Sequence, residues 1–153
     1  MKILLLAVGR IKSAPVRELC ADYLARLQRY GSADVTEVKA SENADPARRI
    51  AEESARLLEQ LTPADQVVVL DERGRPMTSP ELSKFIKDLE LRGTRRLVLL
   101  LGGAYGVGDN VRARGAPLSL SKMTLPHELC RALALEQLYR ARTIQHGEPY
   151  HHA

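Results

Sequence analysis

The chain has no tryptophan, one phenylalanine and five tyrosines, so aromatic residues make up 4% of its 153 positions. That scarcity argues against an aromatic platform for single-stranded nucleic acid, which needs several ring faces in succession. Cysteine is nearly as rare. Cys20 and Cys130 lie far apart, each inside an apolar helical pattern. They read as buried free thiols of a reducing, cytoplasmic compartment and not as a disulfide framework. No apolar run approaches the roughly 20 residues that cross a bilayer. The opening Met1 to Val8 is short, and Gly9-Arg10-Ile11-Lys12 follows it with no small-residue cleavage site, so it reads as a buried first strand and not a signal segment. Internal repeats, low-complexity tracts and linkers are missing too, which leaves one domain over residues 1–153. His146, His151 and His152 have no cysteine or acidic companion at ligand spacing, so a zinc site is not expected. Acidic residues fall short of basic ones, 19 against 23, for a net charge of +4. The excess favours an anionic partner but does not identify one.

What the chain does have is alternation. Strands are predicted over residues 3–8, 35–38, 66–70, 97–101 and, more weakly, 117–120. Helices are predicted between them. The first runs over 13–30, capped by Ser13 with Pro15 in its first turn and with Val16, Leu19, Cys20, Tyr23, Leu24 and Leu27 inward. The second spans 47–61, with Ile50, Ala51, Leu57, Leu58 and Leu61 inward. The third runs to about residue 91, with Ser79 as its cap and Pro80 at its first position. The last covers 126–143. This order implies an α/β domain on a mostly parallel sheet with helices on both faces. Ligands in such sheets bind outside the carboxyl ends of the strands, here Leu70, Gly102 and Leu120.

Two stretches stand out. Gly102, Gly103, Gly106 and Gly108 cluster after the fourth strand. A dinucleotide fingerprint would need a glycine at Val111, and a phosphate-binding P-loop would need Lys and Ser or Thr where Asp109 and Asn110 stand. The cluster therefore reads as a sharply turning loop that lets a ligand approach the backbone, or as a loop that only needs positive φ angles. The last helix is apolar nearly all round, through Leu129, Ala132, Leu133, Leu135, Leu138, Tyr139 and Ile144. Such a helix is buried on more than one side, which predicts a second subunit against it, with Leu135, Leu138 or Ile144 exposed in a monomer. Glu136 and Arg140 have ion-pair spacing.

Several stretches together carry a resemblance. They are Leu6 to Gly9, Val69-Leu70-Asp71 with Gly74, Gly102 to Gly106, Leu118 to His127, Glu136 to Ala141, and the terminal Pro149-Tyr150-His151. Over nearly its whole length the chain resembles the SPOUT class of methyltransferases and, within it, the ribosomal RNA large subunit methyltransferase H family. The resemblance implies a deep trefoil knot and a homodimer packed through the last helix. It implies methyl transfer from S-adenosylmethionine to N3 of a pseudouridine in 23S rRNA on the assembled ribosome. It assigns the cofactor to Leu70, Gly102, Leu120, Ser121, Lys122, Met123, Thr124 and Leu125. His127, Arg140, Tyr150 and His151 become the catalytic candidates, able to orient or deprotonate an imide or to stabilise its anion. The tail carrying Tyr150 and His151 is expected to fold over the cofactor. Cations available to RNA are Arg10, Lys12, Arg73, Arg112, Arg114, Lys122, Arg131 and Arg142. Rival readings are a non-catalytic dimeric ribosome-binding factor on the same fold and an unrelated nucleotide-binding regulator, against which the glycine spacing argues.

Overall fold

The continuous apolar runs of the sequence become the inner strands of a parallel sheet, because only a strand covered on both faces can be apolar at every position. The computed structural model describes residues 1–152. Its elements are β1 (Lys2–Val8), α1 (Ala14–Gln28), β2 (Ala33–Val38), α2 (Pro46–Glu59), β3 (Gln66–Pro76), α3 (Ser79–Leu91), β4 (Arg96–Leu101), α4 (Asp109–Arg112), β5 (Gly115–Ser119) and α5 (His127–Gln145). The strands pair in the order β2-β1-β4-β3-β5, and every pairing is parallel. Alternate residues of β1 divide the core. Ile3, Leu5 and Ala7 pack with side chains of α1, α3 and α5. Leu4, Leu6 and Val8 pack on the other face with Leu57 of α2 and Val111 of α4. None of the helices is long and apolar enough to cross a membrane among the described residues.

Local chemistry departs from the sequence pattern at several points. Ser13 occupies the N-cap of α1 but makes no side-chain cap. The Glu128 carboxylate of α5 instead holds the segment just before the helix, accepting the Lys12 and Ser13 amides at 2.8 and 3.2 Å. Leu19 is 41% exposed, so the inward stripe of α1 is narrower than its apolar pattern. In α2, Ala51 faces solvent while Glu53 and Ser54 are buried. The cap of α3 is Thr78, in a reciprocal capping box with Glu81, which makes Ser79 the first helical residue. Strand β3 outruns its apolar segment: after an irregularity between Leu70 and Arg75 it pairs again with β5 at Leu118 and Ser119. Gly74 sits in that irregularity, where a Cβ would lie 2.6 Å from the Leu118 backbone.

Helix α5 packs between α1 and α3 against the sheet. That arrangement overturns the expectation of exposed leucines. Leu135 and Leu138 are 1% and 0% exposed within a single chain, and Ile144 is half-buried. The two basic residues of its polar stripe are internal as well. Arg131 pairs with Glu37 at 2.8 Å and donates to the Val8 carbonyl at the end of β1. Arg142 pairs with Glu90 of α3 at 2.7 Å. Neither is free to meet RNA.

At the opposite end of the sheet, Arg96 of β4 grips the Asp65 carboxylate and donates to the Gln60 carbonyl at 3.1 Å. The Thr62 amide adds a bond to Asp65 of 2.6 Å. Arg96 holds the Asp65 carboxyl below the usual carboxylate range. A depressed pKa stabilises the fold above the unfolded-state value of about 3.9 and ceases to do so as pH falls through the folded value. Asp65→Asn should therefore cost about 1.5–3 kcal/mol at pH 7, the worth of hydrogen bonds to a charged group. The gap to the native chain should begin to narrow below about pH 4 and close as pH falls through the lower folded value. Urea titrations of both proteins from pH 7 down to about pH 2 test this, and a gap that does not change with pH would contradict it.

Candidate active site

Three strands end at the same rim. Leu70 closes the regular part of β3, Leu101 closes β4, and Ser119 and Leu120 end β5. The glycine segment leaves β4 there and folds into a tight turn, in which the Gly106 amide donates to the Gly103 carbonyl at 3.0 Å. Gly106 carries the positive φ of that turn, 80°. Gly102 is needed for a different reason: a Cβ there would lie 2.7 Å from the Gly106 carbonyl group and 2.7 Å from a Val107 methyl. The space at Gly102 is thus filled by the loop itself and not by a ligand.

Helix α2 holds the loop from below. Ser54 accepts the Gly108 amide at 2.9 Å. Glu53 lies buried against Gly103, with one carboxylate oxygen accepting the Ser41 amide at 2.9 Å and the other unpartnered among the described residues. These two residues were missed in the sequence. Their signal was present, since positions 50, 53, 54 and 57 share a helical face and a polar residue on a buried face needs a partner.

Between the loops lies a cavity of about 560 Å³, within the range of roughly 300–1,000 Å³ typical of small-molecule sites. Leu70, Leu101, Val107, Leu118, Leu120 and Leu125 give it apolar walls. Of the residues assigned to the cofactor, all but the exposed Lys122 line it, and His127 at the start of α5 lines it too. Of the cations singled out in the sequence, Arg73 and Arg112 stand at its rim; the carboxylates beside them were not foreseen. Asp71 is clamped by Arg73 at 3.0 Å and by Arg112 at 3.3 Å. The Arg73 and Arg112 guanidiniums hold the Asp71 carboxyl far below its usual range, so it stays ionised. Glu72 accepts from the Thr124 hydroxyl at 3.1 Å and ties the β3 extension to the loop after β5. Burial pushes the Cys130 thiol on the cavity wall above its usual value, so it is no nucleophile.

Arg140, Tyr150 and His151 come together elsewhere. Arg140 binds Glu136 at 2.5 Å, as the spacing predicted, and lies 4.6 Å from the centre of the Tyr150 ring. The Tyr150 hydroxyl donates to Glu136 at 3.1 Å, and His151 Nδ1 is 3.5 Å from Arg140. Burial, with bonds to Tyr23 and Glu136, pushes the Tyr150 phenol well above its usual pKa, so it is a donor and not a base. Tyr23, Tyr30 and Tyr139 join this cluster, so four of the few aromatics are concentrated on one side of the chain. The tail turns at Gly147 and runs back along α1 and α5. It does not fold over the cavity of its own chain: Arg140 lies about 20 Å along the helix axis from His127, at 1.5 Å per residue.

Fold and cavity define a class. The family model described as a predicted SPOUT methyltransferase matches residues 1–151, and the chain is a SPOUT methyltransferase. Solved structures with this fold include a putative methyltransferase of Legionella pneumophila with bound S-adenosylmethionine. It is 14% identical at a TM-score of 0.52, with 92% of this chain and 66% of that one covered. A probable methylase of Haemophilus influenzae is 10% identical at a TM-score of 0.53, over 99% of this chain and 70% of that one. Closer in sequence are proteins named ribosomal RNA large subunit methyltransferase H. That of Pelobacter propionicus is 42% identical, over 99% of this chain and all of the relative, and that of Syntrophotalea carbinolica is 44% identical, over 99% of each. The chain belongs to the ribosomal RNA large subunit methyltransferase H family.

Because the Gly102 space is occupied by protein, Gly102→Val should misfold the loop and not merely block a ligand. The variant should melt several degrees lower, for an overpacking cost of about 1–3 kcal/mol, and should be cleaved by protease between residues 102 and 108. An unchanged melting temperature with lost ligand binding would return that space to the ligand.

Proposed function

We propose that this chain transfers a methyl group from S-adenosylmethionine to N3 of a pseudouridine in 23S rRNA, within the assembled ribosome. One observation carries the reading: the segments assigned to the cofactor on three separate strand ends converge on a single cavity bordered by the start of α5. Apolar walls from Leu70, Leu118 and Leu120 suit an adenine, and the Glu72 carboxylate suits a ligand carrying positive charge. When bound, the cofactor supplies an already electrophilic methyl group, so that the protein's task is alignment and removal of the imide proton.

The active form in this reading is a homodimer packed through α5, with the knot of the family. The outward side of α5 offers the exposed Leu129 and the half-buried Leu133 for such packing. His127 lies at one end of the helix and the Arg140, Tyr150 and His151 cluster towards the other. An antiparallel crossing of two α5 helices near Leu133 therefore brings the cluster of one subunit towards the cavity of its partner. Tyr150, held protonated, then donates a hydrogen bond to the target base, Arg140 steadies its anion, and a histidine takes the proton.

S-adenosylmethionine should raise the melting temperature by mass action, because it binds only the folded state. Labelled methyl should pass to ribosomes in preference to naked rRNA and map to a pseudouridine. A chain that neither gains stability nor transfers methyl would be a non-catalytic ribosome-binding factor.

A chain ending at Gly147 separates the tail from the fold. It should keep its cofactor affinity and sediment as a dimer, while methyl transfer falls at least about a hundredfold, the lower range for loss of acid–base assistance. Native turnover by the shortened chain would remove Tyr150 and His151 from the reaction, and loss of the dimer would assign the tail to packing.

A further inference from the structure

Tyr105 is the one aromatic residue that lines the cavity, and it stands apart from the tyrosine cluster of α1, α5 and the tail. It is 52% exposed, and its hydroxyl makes no hydrogen bond to another described residue. A large ring left in water forfeits its burial energy, so its placement calls for a partner outside the chain. The turn presenting it is rigid. Tyr105 is the third residue of the bonded turn from Gly103 to Gly106, and Ser54 pins that loop at Gly108.

One approach to the ring is already taken by a cation. The Arg49 guanidinium lies 5.6 Å from the ring centroid. Arg49 is fixed in turn by its position on α2 and by donation from Nε to the Asn43 carbonyl at 3.2 Å. A guanidinium stacked on an aromatic ring at a cavity mouth is a unit that nucleic-acid-binding proteins use: the ring accepts a base by stacking, and the cation attracts the phosphate beside it. A methyl-transfer cavity that works on a nucleobase also needs something at its mouth to hold that base, or its neighbour, out of the RNA stack.

Resting on the reading of the chain as an rRNA methyltransferase, we propose that Tyr105, backed by Arg49, is a stacking platform for an unpaired nucleobase of the RNA substrate. It sets the position of the RNA at the cavity mouth and takes no part in holding the adenine of the cofactor.

Since Tyr105 is exposed, its replacement removes no core packing, and an unchanged melting temperature checks this. Tyr105→Ala should raise KM for ribosomes by about 5- to 100-fold, the range for one stacked base, with kcat and the calorimetric affinity for S-adenosylmethionine within about twofold of native. Tyr105→Phe should restore KM, and Arg49→Met should raise it by a smaller factor. The chain has no tryptophan, so Tyr105→Trp supplies a lone reporter. Its emission should be quenched by ribosomes and not by S-adenosylmethionine. An equal loss of cofactor affinity in Tyr105→Ala, or quenching by the cofactor alone, would make Tyr105 a cofactor wall and overturn the proposal. An unchanged KM would overturn it as well. Failure of the underlying reading has a different signature, because the native chain would then methylate no rRNA.

Discussion

A guanidinium buried at the carboxyl end of β1 holds the last helix where the site needs it. Arg131 is 1% exposed, and its only described partners are the Val8 carbonyl and Glu37 at the end of β2. A buried cation that loses its partners is costly, so this contact tolerates little displacement of α5. One helical turn earlier, Glu128 satisfies the free amides that begin α1. The two contacts pull in different directions, one towards the sheet and the other towards α1. Together they set the position of His127 at the cavity, since it directly precedes Glu128 on the same rigid turn. A residue of the last helix can therefore serve a cavity built largely from β3, β4 and β5.

The cavity depends on close backbone approaches as much as on side chains. Gly74 lets the β3 extension press on Leu118, and Gly102 lets the loop fold back on itself at Gly106. Both contacts are shorter than any side chain allows. Polar ties then lock what the glycines permit: Asp71 to Arg112 across the rim, Glu72 to Thr124 between loops, and Ser54 to Gly108 from below. Each tie joins segments distant in sequence, so the walls are fixed in place before any ligand arrives. That preorganisation matters for a transfer whose rate depends on alignment.

The strands and helices were legible in the sequence because apolar periodicity is local. β1, β4 and α5 announce themselves by composition, and the cofactor segments by resemblance. What the sequence hid was pairing at a distance. Nothing near Ser13 shows that Glu128 holds its amide, and nothing in the all-round apolar pattern of α5 shows that α1 and α3 cover Leu135 and Leu138 within one chain. The cations misled for the same reason. Arg131 and Arg142 look like RNA contacts in a list of charges, but Glu37 and Glu90 claim them in space. Aromatic scarcity says nothing of placement: four tyrosines gather on one side, and one exposed ring stands at the cavity.

The same pairings narrow the chemistry of proton removal in the proposed reaction. Asp71 sits at the cavity, but two guanidiniums stabilise its ionised form so strongly that it is a poor proton acceptor. Cys130 is kept a thiol by burial. Tyr150 is held protonated and already donates to Glu136, while Glu136 is engaged by Arg140. Asp71, Cys130 and Tyr150 are each committed to one protonation state by their surroundings, which suits them to binding or steadying charge and unfits them for accepting a proton. The imidazoles are placed differently: His127 stands on the cavity wall, and His151 lies 3.5 Å from the Arg140 guanidinium. The division of labour then follows the ends of α5. The start of the helix places a histidine beside the cavity, and its later turns with the tail assemble a donor, a cation and a second histidine. A single chain keeps these two halves about 20 Å apart along one helix, so the proposed reaction requires two such helices to cross.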